Sequence, residues 1–433
     1  MADASPRVLT RPVLGWCLYD WANSAFATVM LAAVLPIYFT AIAPERMSLA
    51  GTLVPASSLW AYGLALSAGT VALLAPALGA VADAGNRRKA MLAVFAGTGI
   101  LASGALAAVG PGQWLACLVL FGLAHVGFAG GNVFYNAFLP VVAPARHLDR
   151  VSGWGYALGY VGGGLVLAGS MGLMARPGIL GLADTAAAAR ASFLGVAAWW
   201  FAFSLPLFLW VEEPGTGRGI PWTRAVVQGF RGLYRTLTHV RQHGQAFRFL
   251  VAYLIYNDGV QAVIALATLY GSTELRLPPQ TLLAVLLAIQ FVAFPSALAL
   301  ARLAEAVGPR RVLMGTLVGW MAIVFLGSRL ETAAGFWALG LAVGLILGGT
   351  QALSRSLYAR FVPEGQGAEF FGFFAIGTKF AAVAGPFTFG LVGHLTGSGR
   401  SGVLALGGFF LAGLLILLTV KEPGGSGPGR RSP

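Results

Sequence analysis

The chain has 433 residues, of which 57% are hydrophobic and 10% are charged, and its formal net charge is +13. A soluble protein of this length needs far more charged side chains to cover its surface, so the composition excludes an ordinary soluble enzyme or binding domain and predicts a membrane protein. The basic residues show no aromatic-basic pattern typical of nucleic-acid binding, and we attribute the positive charge to membrane orientation and anionic lipid.

Twelve apolar segments follow one another along the chain, each about 16 to 30 residues long, and a spanning helix needs about 20. They begin near Pro12, Trp60, Met91, Gln113, Gly153, Phe193, Phe249, Leu282, Val312, Phe336, Phe370 and Val403. Six precede the longest hydrophilic stretch and six follow it. We therefore predict an all-α membrane protein with twelve transmembrane helices in two pseudo-symmetric six-helix bundles, formed by residues 1–211 and 246–433.

The first apolar segment contains one carboxylate, Asp20, and Asn23 follows it three residues later. The seventh segment repeats this arrangement with Asp258 and Gln261. An ionised carboxylate at the centre of a membrane costs about 3 kcal/mol or more, so each acid needs a partner, a hydrated cavity or a function. Two matched acids in matched helices indicate a duplicated membrane protein with a polar path through it.

The loop after the second segment recurs, imperfectly, after the eighth. Each copy has an acid at the end of one helix, a glycine turn and basic residues at the start of the next helix: Asp83, Arg87 and Arg88 in the first, and Glu305, Arg310 and Arg311 in the second. This pattern predicts a charge clamp between consecutive helix ends, with a role in gating. A motif repeated six segments apart indicates internal duplication, as in many transporters.

The hydrophilic stretch 212–245 joins the two bundles. Polar residues recur at helical spacing along one side of it: Arg224, Gln228, Arg231 and Arg235. Apolar residues occupy the other side, so we predict a basic amphipathic helix on the inner leaflet that joins two rigid halves and lets them move. A plain tether, the alternative, predicts no such periodicity.

Polar residues within the apolar segments are concentrated in segments one, four, seven and ten, each on one helix face. The candidate substrate-binding or proton-coupling residues are Asp20, Asn23, Asn132, Tyr135, Asn136, Asn257, Asp258, Gln261, Gln351, Arg355 and Lys379. Two interpretations stay open. These residues form a substrate or proton site, or they form a gate in which Arg355 neutralises one acid as a buried ion pair. Both interpretations apply, in different states of the protein, if a proton or substrate replaces the arginine.

Three further features of the sequence concern individual polar residues, a glycine-rich segment and metal binding. Lys379 either receives an anionic group of the substrate or pairs with Asp258, and His125 is either a helix-interface residue or a proton relay. The glycine-rich fifth segment lacks the order of a nucleotide-binding loop and predicts close helix packing. No metal-ligand cluster is visible in the sequence, so we expect no metal and no cofactor.

Lysine and arginine are concentrated in the loops on the side of the two termini, which predicts that both termini are cytoplasmic. Short loops and an alanine- and glycine-rich composition favour a bacterial inner membrane. Cys17 and Cys117 fall within apolar segments, so no disulfide framework is expected. The first segment is too long for a cleavable signal peptide.

The two loop copies resemble the signature cytoplasmic loop of the major facilitator superfamily. Within it, stretches 19–26, 135–140, 256–261 and 351–372 resemble the vacuole-effluxer-like branch, which is associated with autophagy in fungi. The resemblance implies a twelve-helix transporter that works by alternating access, with segments one, four, seven and ten around a central cavity. For eukaryotic members it implies amino-acid export from the vacuole.

We therefore predict a monomeric secondary transporter of a small polar solute, with an amino acid as the candidate, coupled to protons. Its expected partners are this solute and membrane lipids, with no nucleic acid. An exporter of lipid or lipophilic compounds is the alternative within transport. A membrane-embedded enzyme needs a set of catalytic groups at one depth, which the sequence does not show. A transport-inactive sensor is a third class.

Overall fold

The computed structural model describes residues 8–44, 46–49, 52–213, 220–238, 243–273, 275–380, 384–396 and 399–422. The N half comprises α1 (Arg11–Ala25), a π-helical segment (Phe26–Ala33), α2 (Val34–Ile42), strands β1 (Arg46–Leu49) and β2 (Thr52–Pro55), α3 (Ala56–Gly85), α4 (Arg88–Ala105), α5 (Trp114–Ala137), α6 (Leu139–Val142), α7 (Leu148–Ala175) and α8 (Thr185–Trp210). The linker contains α9 (Trp222–Thr238). The C half comprises α10 (Gly244–Thr273), α11 (Pro279–Val307), α12 (Pro309–Gly327), α13 (Ala333–Ala359), α14 (Gly367–Phe380), α15 (Ala384–Thr396), α16 (Gly399–Ala405) and α17 (Gly407–Thr419).

The predicted helical architecture is confirmed. In the described part of the chain, 10 helical stretches are long and apolar enough to cross a membrane. The predicted seventh segment is the 30-residue helix α10, and the described part of the eleventh consists of α14 and α15. The sequence did not predict the antiparallel hairpin β1–β2, in which Arg46 lies opposite Pro55.

Local sequence signals explain where several helices begin. The Thr10 hydroxyl accepts a hydrogen bond from the backbone N–H of Val13, and it caps α1. The Asp184 carboxylate caps α8 in the same way through Ala187, at 2.7 Å. Gly308 has φ +95, a conformation that glycine adopts without strain, and it lets the chain turn sharply from α11 into α12.

Glycines of α7 allow it to pack directly against α1, which confirms the packing role expected for the fifth segment. A Cβ atom added at Gly159 would lie 2.6 Å from the Ser24 hydroxyl, and one at Gly162 would lie 2.5 Å from the Trp21 carbonyl oxygen. Neither position has room for a side chain. The close approach fixes the distance between the helix that carries Asp20 and the helix that carries Ser152.

The two halves contact each other through α3 with α14 and through α7 with α11. Both contacts use glycine. A Cβ atom on Gly372 of α14 would lie 2.7 Å from the Ala75 carbonyl oxygen of α3, and one on Gly153 of α7 would lie 2.5 Å from Cβ of Ala301 in α11. The second and eleventh predicted segments (α3 and α14), and the fifth and eighth (α7 and α11), are therefore in close contact in this conformation.

Candidate functional site

Arg355, near the end of α13, is a charged group buried at the contact between the halves, with 2% of its surface exposed. Its Nη1 donates to Oδ2 of Asp20, on α1, at 2.9 Å, and to Oδ1 of Asn136, on α5, at 3.4 Å. Its Nε donates to the hydroxyl of Ser152, on α7, at 2.9 Å, and its Nη2 donates to the Ser152 carbonyl oxygen at 3.0 Å. The guanidinium is therefore hydrogen-bonded from three helices.

Three aromatic rings surround the same guanidinium. Its central carbon lies 4.1 Å from the ring centroid of Tyr156, 4.6 Å from that of Trp16 and 5.7 Å from that of Tyr135. A cation over an aromatic face is attracted by the ring quadrupole, and the attraction is stronger where water is excluded. The site thus combines one carboxylate with aromatic faces.

Every polar and aromatic partner that the structure describes for Arg355 belongs to the N half. We call this set the Arg355 cage: Trp16, Asp20, Tyr135, Asn136, Ser152 and Tyr156. A side chain of the C half is therefore inserted into a receptacle made by the N half. Gly155 leaves room for the insertion, because a Cβ atom there would lie 2.6 Å from Oδ2 of Asp20 and 2.8 Å from Nη2 of Arg355.

The other predicted polar residues lie in smaller contacts around the cage. Asn23 donates from Nδ2 to Oδ1 of Asn132 at 2.7 Å, which links α1 to α5. The hydroxyl of Tyr160 donates to Oε1 of Gln351 at 2.5 Å, which links α7 to α13 across the halves. Asn132 and Gln351 are half-buried.

Asp258 is placed apart from the cage. Its Oδ1 accepts a hydrogen bond from the backbone N–H of Gly385, at the start of α15, at 3.0 Å, and the residue is buried. Asn257 beside it is also buried, and Gln261 is half-buried. The structure therefore does not place Asp20, Asn132 and Asp258 in one direct hydrogen-bonded cluster. The side chain of Lys379 lies outside the described part of the chain.

The first loop copy joins the halves at one end of the bundle. Asp83 pairs with Nε of Arg88 at 2.5 Å, as predicted. It also accepts from the backbone N–H groups of Ala368 and Glu369, at 3.1 and 2.9 Å, and so caps α14 in the other half. The clamp is thus both local and between halves. Arg87 instead donates to the carbonyl oxygen of Ile220 at 3.4 Å.

The second loop copy differs from the prediction. Glu305 pairs with Arg150, at the start of α7, and its expected local pairing with Arg310 and Arg311 is wrong. The turn at Gly308 directs Arg310 to the end of α17, where it donates to the carbonyl oxygens of Leu417 and Leu418. Arg311 donates to the carbonyl oxygen of Val307, in its own helix turn. Glu305 therefore pairs with a residue of the opposite half.

One inter-half pair was missed by the sequence reasoning. Asp149, buried at the start of α7, accepts from the Ser356 hydroxyl at 2.6 Å and from Nη2 of Arg360 at 2.5 Å. The two charged residues flank apolar segments, where charges are ordinary, so no pattern marked them. Asp83, Asp149, Glu305 and Arg360 all join the halves at the same end of the bundle, which we call the closed face.

A further repeat also emerges at this face. Glu213 accepts from the backbone N–H of Lys89 at the start of α4, and Glu422 accepts from that of Arg310 at the start of α12, both at 3.1 Å. Both glutamates precede a Pro-Gly pair in the sequence. Burial raises the pKa of the Glu213 carboxyl, and the hydrogen bond from Lys89 opposes this effect. The repeat supports the internal duplication.

Comparisons with known proteins agree with this architecture. Residues 10–426 match the family described as "Vacuole effluxer Atg22 like". The chain is 34% identical over 419 residues to the uncharacterized MFS-type transporter YxiO of Bacillus subtilis (strain 168), covering 95% of each protein. It is 23% identical to autophagy-related protein 22-1 of Penicillium rubens over 541 residues, covering 95% of this chain and 90% of the relative.

Solved structures show the same fold at low sequence identity. The proton:xylose symporter XylE matches with a TM-score of 0.69 and 14% identity, covering 95% of each chain. The human organic anion transporter MFSD10 matches with a TM-score of 0.70 and 16% identity, covering 95% of this chain and 99% of its own. The family and fold predicted from the sequence are thus confirmed. The chain belongs to the Atg22-like vacuole effluxer family of the major facilitator superfamily, and it is a secondary transporter and not an enzyme.

Proposed function

We propose that this transporter moves a small polar solute, an amino acid, by alternating access, and that the Asp20–Arg355 pair is the gate at the closed face. The observation that carries the proposal is that the buried Arg355 belongs to one half and its described partners to the other. Opening this face has to withdraw the guanidinium from the cage. Breaking a buried ion pair costs about 3–5 kcal/mol unless another group compensates the charge left behind.

A proton supplies such compensation at Asp20. Protonation removes the negative charge that holds Arg355 and lowers the cost of separating the halves. Asp20 is better placed for this role than Asp258, because the described partner of Asp258 is Gly385 of the same half. Movement of the halves therefore changes the surroundings of Asp20 directly. We assign the coupling proton to Asp20.

The neutral polar groups beside the cage support a solute-binding role. Asn23 and Asn132 present amide groups from α1 and α5, and Gln351 presents one from α13. Amides both donate and accept, which suits a solute with mixed polar groups. Lys379 is the group that we assign to a carboxylate of the solute.

We further propose that the closed face is cytoplasmic and that the membrane is a bacterial inner membrane. The support is the concentration of arginine and lysine in the loops at this face, since cytoplasmic loops carry the excess of basic residues. In this orientation the described conformation is closed towards the cytoplasm.

A transport assay with the purified protein in liposomes tests the proposal. A thermal-stability screen against amino acids first selects a solute, because a bound ligand raises the unfolding midpoint. Asp20→Asn is expected to abolish uptake driven by a pH gradient and to keep exchange at equal pH when the solute is supplied at concentrations that offset its weaker binding. Asp258→Asn is expected to keep both, and Arg400→Gln, which alters an exposed ion pair, serves as the matched control. Gradient-driven accumulation by Asp20→Asn would show that Asp20 does not carry the proton.

A further inference from the structure

We infer that the Arg355 cage is also the binding site for the cationic head of the transported solute, an ammonium or guanidinium group, once the closed face has opened. The inference rests on the proposed function and adds the chemical class of the solute. In the described conformation Arg355 occupies the cage. When the halves separate, the arginine leaves with the C half and the N-half walls stay together.

The chemistry of the cage fits a cation that carries several N–H groups. Towards Arg355 it presents acceptor oxygens from Asp20, Asn136 and Ser152, at 2.9 to 3.4 Å. The faces of Trp16 and Tyr156 lie at 4.6 and 4.1 Å from the guanidinium carbon. Carboxylates, carbonyl oxygens and aromatic faces all attract a positive charge with N–H donors. An anion is repelled by the same groups.

The walls of the cage are held by contacts that do not include Arg355. Nε1 of Trp16 donates to the carbonyl oxygen of Tyr135 at 2.9 Å, and the two rings stack with centroids 4.6 Å apart. Tyr19 also stacks on Tyr135, with ring centroids 4.9 Å apart. The Asn23–Asn132 bond joins the same two helices. The site is therefore organised before a ligand enters, which lowers the entropy cost of binding.

Withdrawal of Arg355 leaves one uncompensated charge in the cage, the carboxylate of Asp20. A solute cation that enters replaces the arginine charge for charge, so opening with solute costs less than opening without it. Closing inserts Arg355 again and expels the solute cation from the same atoms. The arginine is thus an internal competitor that couples closure to the emptying of the cage. Amino acids and other amines fit this exchange, and uncharged sugars do not.

Chemical rescue of an arginine variant tests the inference. In the purified Arg355→Ala protein the cage lacks its cation, and methylguanidinium chloride is the probe. We expect a saturable rise of the thermal unfolding midpoint with millimolar methylguanidinium. Methylurea, which has a similar shape and no charge, should give no rise. The wild-type protein should also give none at these concentrations, because Arg355 fills the cage.

The double variant Arg355→Ala with Asp20→Asn separates cage binding from a general salt effect. In this variant, methylguanidinium should no longer raise the thermal unfolding midpoint. Absence of a rise in Arg355→Ala, or an equal rise in the double variant, would overturn the inference. If Arg355→Ala does not fold, Arg355→Ser frees nearly the same space and keeps a polar group, and the same comparison decides. The assay needs no transport. Cation rescue without gradient-driven transport therefore contradicts the proposed function alone, and transport without rescue contradicts only the cage.

Discussion

At the scale of single residues, Gly155 shows how closely the cage fits its arginine. The atom nearest to a Cβ at this position is Oδ2 of Asp20 at 2.6 Å, followed by Nη2 of Arg355 and Cζ3 of Trp16, both at 2.8 Å. An added methyl group has to displace one partner of a buried ion pair. Because a buried charge that loses its partner is strongly destabilising, a very small change here should have a large effect.

We therefore predict that Gly155→Ala lowers the thermal unfolding midpoint of the purified protein. Gly169→Ala, on the same helix, is the matched control, since nothing lies within 4 Å of a Cβ atom there. Alanine is a better helix former than glycine by about 1 kcal/mol, so the control should be neutral or stabilising. Equal midpoints for the two variants would show that the cage has room that the structure does not indicate.

At the scale of elements, the linker helix α9 packs directly against the protein and is more than a tether on the membrane. Its small residues face the protein: Ala225 and Gly229 are buried, and a Cβ atom at Gly229 would lie 2.7 Å from the backbone of Val81 in α3. Arg224, Arg231 and Arg235 remain exposed, as the predicted basic face requires. The helix thus packs on the N half.

We predict that Gly229→Ala moves α9 away from α3, because backbone atoms cannot yield to the added methyl group. Gly232→Ala is the control on the same helix, where the nearest atom is a side-chain oxygen of Glu369 at 3.8 Å. The measurement is disulfide formation between cysteines introduced at Gly85 and Ala225, after replacement of Cys17 and Cys117. The disulfide should form in the parent protein and in Gly232→Ala and be reduced in yield in Gly229→Ala. Equal yields in both variants would contradict the packing.

The sequence was sufficient to predict the approximate helix positions and their polar faces. It was not sufficient to predict which residues of different helices pair with each other. The membrane cost of a charge drew attention to Asp20, and helical spacing drew attention to Arg355, but neither property fixes which acid meets which base. Glu305 was assigned to a nearby arginine, whereas the fold gives it Arg150. Trp16 and Tyr156 were missed because an aromatic residue in an apolar segment is indistinguishable from core. Contacts between residues more than 100 positions apart depend on the tertiary fold.

At the scale of the whole molecule, acidic residues of both halves hold the closed face together. Asp83 of the N half reaches the C half, and Glu305 of the C half reaches the N half. The Arg355 cage and the Asp149–Arg360 pair add a third and a fourth contact. All of these contacts are available only while the halves are together, so each favours the closed conformation over the open one.

The distance between the halves at the closed face tests the central claim, which is that the Asp20–Arg355 pair holds this face shut. Spin labels on cysteines at Arg146 and Glu364, both exposed, report this distance by pulsed electron resonance after replacement of Cys17 and Cys117. Arg355→Gln leaves Asp20 buried without a partner in the closed conformation. Loss of about 3 kcal/mol of preference raises the ratio of open to closed protein on the order of 100-fold.

The predicted result is therefore a new population at longer distance in Arg355→Gln, with Arg400→Gln keeping the distribution of the parent protein. An Arg355→Gln distribution identical to that of the parent would contradict the account, because the pair would then contribute nothing to closure.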